Sequence, residues 1–479
     1  MARVERHQIR FDGGPAAMGP ATWAQHEMWS LMRARGPCGG FYNLSRTVLV
    51  PPGPTVADVL DRLAELVARH QSLRTLFHPG PDGDPVQQVV PAGEFPVDVL
   101  LTTSPRDPDP VGLAVRHERA MTREEFALDS DLPVRALVGV TDGVPRAVTL
   151  CVPHVAADLA GMRVAMAELA WSLDASEVRR RARPPAPQPL DLVAWQQSPA
   201  GGAAAGRAAA HLRAELATRP ARMFPSARRA EFVACGIESP ALDFALDLLA
   251  LRHNVSTSVV LMTAVHDTAR RWCETSRCAV QLVAGNRFGP AERATVGNLI
   301  QEVPVTISVS GAEFADRLRA TWTASMRAYR AARFPPGLLT EAARGRAVEM
   351  DCFLNDARAS VRADPNRRPV ALLPAAATFR PTDFRPDRPF TLLALDGVEA
   401  IRLLLAADTG CCRPTRPSGS CGGWSTSCSS WRGRADLLAR PCHVNVVLTR
   451  RKGAAEPGKP LVSMAYGNAA AANRAAGSH

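Results

Sequence analysis

Residues Ala147 to Met162 read A-V-T-L-C-V-P-H-V-A-A-D-L-A-G-M. The apolar run from Ala147 to Val152 predicts a buried strand that ends at Pro153 and His154. Val155, Ala156 and Ala157 follow, then Asp158 and Gly161, and Val164 to Trp171 has the apolar spacing of a helix. A single imidazole therefore stands where a strand gives way to a loop, a position that often carries catalytic side chains. Histidine has the unperturbed pKa nearest neutrality, so it can accept a proton and return it at cellular pH. Asp158 is expected to fix the loop through hydrogen bonds or an ion pair. A lone histidine with an aspartate four residues on is more often a structural pair than a catalytic one, so the rest of the chain has to decide between the two.

The chain has 479 residues, too many for one ordinary core, which predicts two domains or lobes. Hydrophobic content of 46% and charged content of 22% are those of a globular protein. The net charge of +11 suits an acidic partner, or a GC-rich, arginine-heavy coding sequence. Nucleic acid is not the expected partner: the arginines are dispersed, only three tyrosines are present for base stacking, and no helix-turn-helix, zinc-finger or RNA-binding signature occurs. Met1 to Gly14 lacks the apolar core of a signal peptide, and no apolar run is long enough to span a membrane, so a cytoplasmic protein with reduced cysteines is expected.

Outward from the central stretch, residues 1–17 read as a mobile lead-in, and Thr22 as the cap of a helix carrying Trp23, Glu27, Met28 and Trp29. Ser45 to Val50 predicts a strand, and Thr55 to His70 an amphipathic helix with Val56, Val59, Leu60, Leu63 and Val67 on one face. The run Arg69 to Phe77 crosses from that helix into a strand-like segment. Residues 177–206, rich in arginine, proline and glycine, read as a crossover between lobes. Helices follow at 208–217, 240–253, 256–272 and 314–332, and strands at 278–284, 300–309, 370–379 and 390–407. The mixture predicts an α/β protein of two lobes, 18–176 and 207–452, with a site between them and a disordered tail, 453–479.

Five of these stretches together resemble the condensation domain of nonribosomal peptide synthetases, in the chloramphenicol-acetyltransferase-like superfamily. Thr22-x-Ala24-Gln25-x-x-x-Trp29 is similar to the family's first motif, and Arg69-His70-x-x-Leu73-Arg74-Thr75-x-Phe77 to its second. Pro153-His154-Val155-Ala156-Ala157-Asp158 falls on the His-His-x-x-x-Asp-Gly signature, and Asp191 to Trp195 on the fourth motif. Gly285-Asn286-Arg287, Val296-Gly297 and Val303-Pro304-Val305 resemble the fifth. The resemblance runs in order over about 18–410 and implies two acetyltransferase-like lobes in a V around a tunnel.

The resemblance makes His154 the catalytic residue, with Asp158 and Gly161 supporting its loop and Asp158 paired with Arg287. Arg69, His70 and Arg74 support it from the second motif. The implied reaction is acyl transfer from a carrier-protein thioester to an amine or alcohol, with no metal and no cofactor beyond the phosphopantetheine arm of a carrier protein acting in trans. A free-standing monomer is expected. Two positions depart from the signature: Pro153 replaces its first histidine and Leu159 its glycine. They keep open a docking module that binds carrier proteins or tailoring enzymes, beside an O-acyltransferase for a small alcohol. Cys411 to Trp431 has no helical or strand periodicity, and its four cysteines match no paired zinc frame. It reads as translation in a shifted frame where an amphipathic helix would stand.

Overall fold

The computed structural model describes residues 3–36, 40–102, 118, 120–174, 184–224, 232–273, 277–308, 313–346, 348–366, 378–381, 386, 388–397 and 400–408. Cys411–Trp431 and the tail after 452 lie outside the described residues.

The amino-terminal half is built on a five-stranded sheet in the order β1 (Arg3–Asp12), β6 (Ala92–Thr102), β7 (Arg135–Thr141), β8 (Val144–Pro153) and β3 (Asn43–Leu49). The β6–β7 pair is parallel and the others are antiparallel. A small sheet of β2 (Ala17–Pro20), β5 (Pro85–Val89) and β4 (Thr75–Pro79) stands beside it. Helices α1 (Trp23–Arg35), α2 (Val56–Arg69) and α3 (Leu159–Leu173) belong to this half. Val148, Leu150 and Val152 of β8 share one core with Val59, Leu63 and Val67 of α2 and Met162, Ala165 and Leu169 of α3. The predicted helix at 55–70 is observed as α2, with a reciprocal cap between Thr55 and Asp58.

The carboxyl-terminal half carries a seven-stranded sheet in the order β11 (Gln301–Ser308), β10 (Arg277–Ala284), β12 (Cys352–Asp356), β14 (Phe390–Asp396), β15 (Ile401–Asp408), β9 (Phe232–Glu238) and β13 (Thr378–Pro381). Its helices are α4 (Pro189–Gln196), α5 (Pro199–Thr218), α6 (Pro240–His253), α7 (Thr257–Cys273), α8 (Pro290–Ala294), α9 (Phe314–Arg330) and α10 (Leu338–Ala343). The register sorts this sheet's side chains between two faces. Leu282, Leu354, Leu392, Leu403 and Leu405 enter the helix-covered core. The alternate positions Val283, Phe353, Thr391, Leu393 and Leu404 line a cavity on the other face. Among the described residues no single helix is long and apolar enough to cross a membrane.

Two sequence readings are corrected. The expected lead-in, residues 1–17, contains β1 and the start of β2. Ten residues of β1 pair with β6, its Arg6 and Arg10 meet Asp98 and Glu94 at 2.7 Å each, and Phe11 is buried near Phe95. The outward charges disguised the two-residue alternation, and the partners that stabilise this edge strand lie more than 80 residues away. The expected crossover at 177–206 carries α4 and the start of α5, although 177–183 lies outside the described residues. Ser198 caps α5, Pro199 opens it, and Gly201 is buried against the Trp195 and Gln196 carbonyls, where a Cβ would collide. Close packing thus accounts for Gly201, while Gly202 and Gly206 face open space on an Ala-rich helix. Of the strand expected at 370–379, residues 370–377 lie outside the described residues, and Thr378 begins β13.

Candidate active site

His154 opens the turn that follows β8, and its backbone N–H donates to the Tyr42 carbonyl at 2.8 Å. Pro153 is the last residue of the strand, opposite Asn43, where the ladder ends and a missing N–H costs little. Its carbonyl still accepts from Ala156 at 2.9 Å. The Ser72 hydroxyl donates to the Ala156 carbonyl and ties the turn to the segment after α2. The turn is thus closed on itself and tied to Tyr42 and Ser72 despite the proline.

Asp158 completes the loop and begins α3. Its Oδ1 accepts the Gly161 N–H at 2.7 Å as the helix cap, and its Oδ2 accepts the Leu299 N–H at 2.9 Å. Arg287 Nη2 donates to Oδ1 at 2.8 Å and to the Gly297 carbonyl at 3.0 Å. Arg287 Nη1 donates to the Glu292 and Thr295 carbonyls at 2.6 and 2.8 Å. Asp158 is 1% exposed, so this charge is compensated by a built set of donors. Gly161 is required by close approach: a Cβ there would lie 2.7 Å from the Gly297 oxygen and 2.9 Å from its nitrogen. Val296, on the segment carrying these groups, is buried in the core of the amino-terminal half.

The second-motif residues stand behind this loop. Buried His70 meets Glu168 of α3 through Nε2 at 3.0 Å, and Arg69 meets the same oxygen at 3.1 Å. Arg74 is 3% exposed and donates to the Val90, Gly13 and Ala68 carbonyls. None of these three lines the cavity at His154. Their described contacts are those of residues that hold α2, α3 and the small sheet in place. The first and fourth motifs meet each other: Trp23 and Trp195 pack edge-on at 6.1 Å, and Gln196 Oε1 accepts the Trp23 N–H at 3.2 Å.

His154 lines a cavity of about 680 Å³. One wall comes from α1 and the segment before β3, with Ala24, Glu27, Met28, Leu31 and Tyr42. The other is the face of the carboxyl-terminal sheet turned away from its helix-covered core, with Val283, Phe353, Thr391, Leu393 and Leu404. Leu159 does not line it, so the side chain at the departed glycine position does not narrow this approach to His154. Burial pushes the His154 imidazole below its ordinary pKa, against the opposing effects of its own backbone, Asp158 and the backbone of Ala157. The ring is therefore neutral near pH 7.

Sequence reasoning passed over Ser72, Tyr42, Glu27 and the sheet wall. Ser72 lies inside the second motif and could have been found there. The wall residues are spread over β10, β12, β14 and β15, and only the register brings them together.

The family model of the Condensation domain matches residues 16–355. An isonitrile lipopeptide synthase of Mycobacterium tuberculosis is 25% identical over 338 residues, which cover 66% of this chain and 13% of that protein. A probable non-canonical nonribosomal peptide synthetase, CymA, of Salinispora arenicola is 27% identical over 183 residues, covering 37% of this chain and 2% of that one. The chain thus spans a small part of the curated relatives it matches. Among solved structures, a condensation domain that mediates chain release from the enacyloxin polyketide synthase superposes with a TM-score of 0.64 at 22% identity, covering 88% of this chain and 82% of that one. The first condensation domain of the calcium-dependent antibiotic synthetase, with a substrate analogue, gives 0.63 at 18% identity and covers 88% and 96%. The X-domain in complex with OxyB from teicoplanin biosynthesis gives 0.60 at 18%, with 88% and 92% covered.

Proposed function

Because the chain belongs to the condensation-domain family, we propose that it transfers an acyl group from a carrier-protein thioester to an amine or alcohol. The observation that carries this reading is a neutral imidazole, His154, on a 680 Å³ cavity, on a loop anchored by the Asp158–Arg287 pair. In the proposed step the acceptor's nitrogen or oxygen attacks the thioester carbonyl while His154 takes the proton it sheds. The tetrahedral centre collapses, the carbon–sulfur bond breaks, and the proton passes to the departing thiolate. No covalent enzyme intermediate forms. Holding both reactants in one cavity supplies much of the acceleration. The lobes 18–176 and 207–452, joined through 177–206, would admit the two reactants. The phosphopantetheine arm of a carrier protein acting in trans would bring the acyl group, with nonribosomal peptide or related biosynthesis in the cytoplasm as the setting.

Pro153 favours a second reading, a docking module for carrier proteins or tailoring enzymes, because the signature's first histidine is absent. Intact-protein mass spectrometry separates the two. Acyl-loaded carrier proteins are incubated with the protein and a panel of amines and alcohols, beside His154→Ala. Loss of the acyl group with a matching product, absent in the variant, is the expected result. Carrier binding without turnover across the panel would replace the enzyme with the docking module.

A further inference from the structure

The carboxyl-terminal sheet separates two cavities. Along β12 the side chains alternate: Phe353 and Asn355 turn to the cavity at His154, and Leu354 and Asp356 turn to the opposite face. There Leu354 stands beside Leu282 of β10, and the two form the floor of a second cavity of about 650 Å³, to which the proposed reaction gives no task. Two helices form its sides. Ser258, Val259 and Met262 come from α7, and Trp322, Ser325, Met326 and Tyr329 from α9. Each set has the three- and four-residue spacing of one helical face. Such stripes ordinarily close on one another in a core, whereas these two bound open volume. Leu251 and Trp322, both exposed, also line it, so the slot reaches solvent between large apolar side chains.

The polar groups of the slot select among ligands. The hydroxyls of Tyr329 and Ser258 form no hydrogen bond among the described residues. Burial and the charge of Asp356 push the Tyr329 phenol up to about 12, so it stays protonated and able to donate across the neutral range. Asp356 is itself engaged by Arg358, whose Nε donates to Oδ1 at 2.8 Å and Nη2 to Oδ2 at 2.6 Å. A carboxylate held by a guanidinium fork has little charge left to attract an ammonium. Arg362 lines the slot from an exposed position, where water solvates it. The open hydrogen-bonding capacity is therefore that of two neutral hydroxyls. The apolar lining has its own preference. The Met262 and Met326 thioethers and the Trp322 indole gain attraction from an aromatic ring that a saturated body of the same size does not supply.

We propose that this slot is a second ligand site, for a small aromatic molecule bearing a neutral hydroxyl. The ring lies between α7 and α9 against Met262, Met326 and Trp322, and the hydroxyl meets Tyr329 and Ser258. The volume is that of a small-molecule site, mostly apolar with a few polar groups that fix orientation. The site stands on the far side of the sheet from His154 and does not rest on the acyl-transfer reading.

Titrations of the full chain with 2-naphthol, decahydro-2-naphthol and 2-naphthoate test this, read by calorimetry and by methionine-methyl NMR. The methyl signals of Met262, Met326 and Met28 are assigned with the single variants Met262→Leu, Met326→Leu and Met28→Leu. 2-Naphthol should bind about tenfold more tightly than its saturated counterpart. Its ring current should move the Met262 and Met326 methyls and leave Met28, on the His154 cavity, in place. Tyr329→Phe removes only the hydroxyl and should weaken 2-naphthol about fivefold. Equal binding of the flat and saturated alcohols would overturn the aromatic class. Tighter binding of 2-naphthoate would make Arg362 the anchor and overturn the neutral one. Shifts at Met28 in place of Met262 and Met326 would put the ligand in the other cavity and overturn the site. The affinity comparison uses the wild-type chain, so it decides the ligand class whether or not a variant folds.

Discussion

Two histidines of this chain have the same kinds of neighbour and different fates. His154 precedes Asp158, which pairs with Arg287 at 2.8 Å, and His266 of α7 precedes Asp267, which pairs with Arg317 at 3.0 Å. Burial depresses both imidazoles, and that of His266 falls to about 3. Yet His266 is wholly buried in a helix of the carboxyl-terminal core, with neither ring nitrogen hydrogen-bonded among the described residues. His154 stands at a strand end on a cavity wall. The aspartates differ too. Both Asp158 oxygens are engaged by described donors, whereas Asp267 Oδ1 has no hydrogen-bond partner among the described residues. A low histidine pKa therefore reports burial in both places, and the cavity and the anchored loop distinguish the candidate base.

The sharpest way to break this contrast is to remove each ring. His154→Ala should lower acyl transfer by about 10²- to 10⁴-fold, the usual contribution of a positioned acid–base group. The melting temperature should stay nearly constant, because the loop's anchors do not use the imidazole. His266→Leu should leave transfer within about twofold of wild type. A kinetic defect in His266→Leu as deep as that in His154→Ala would remove the distinction. The two aspartates come next. Asp158→Ala strands Arg287, only 10% exposed, and should cost about 3–5 kcal/mol in denaturant unfolding. Asp267→Ala should cost less, because Arg317 is 23% exposed and keeps solvent. Equal losses would mean that the Asp158 set holds no more than an ordinary ion pair. Gly161→Ala is smaller again: its methyl would press on the Gly297 backbone, for about 1–3 kcal/mol and a parallel loss of transfer.

Much of this contrast was legible before any coordinates. The strand, turn and helix around His154 followed from the apolar run, the proline and the spacing after Asp158, all local signals. The partnership of Asp158 with Arg287, 129 residues apart, came only from the resemblance, and the coordinates place the two in contact. Local patterning failed where the deciding partner was distant. β1 hid behind its outward charges until β6 was set beside it, and Gly201 of α5 looked like part of a linker until the Trp195 and Gln196 carbonyls were set against it. Glu27 was visible as a residue of the first helix, but only the fold brings Glu302 of β11 beside it. His266 shows the converse error that sequence invites: a His-Asp dipeptide on an apolar helix has the composition of a reactive site and none of its access.

The smallest predicted effect tests whether burial alone accounts for His266. Its pKa is about 3 in the folded chain and about 6.5 when unfolded, so between these values the unfolded state binds the extra proton. Stability should therefore rise with pH through that window and fall as pH drops below 6.5. The slope for one such group is about 1.4 kcal/mol per pH unit, or about 2 kcal/mol between pH 6.5 and 5. Carboxylates also destabilise the fold in acid, so the quantity to measure is a difference. Urea unfolding of wild type and His266→Leu at pH 7 and pH 5 should show the variant losing about 2 kcal/mol less than wild type. If both lose the same amount, His266 is protonated inside the fold, and a polar environment must then surround it. The two histidines would in that case differ in more than access, and the low pKa of His154 could no longer be assigned to burial by analogy.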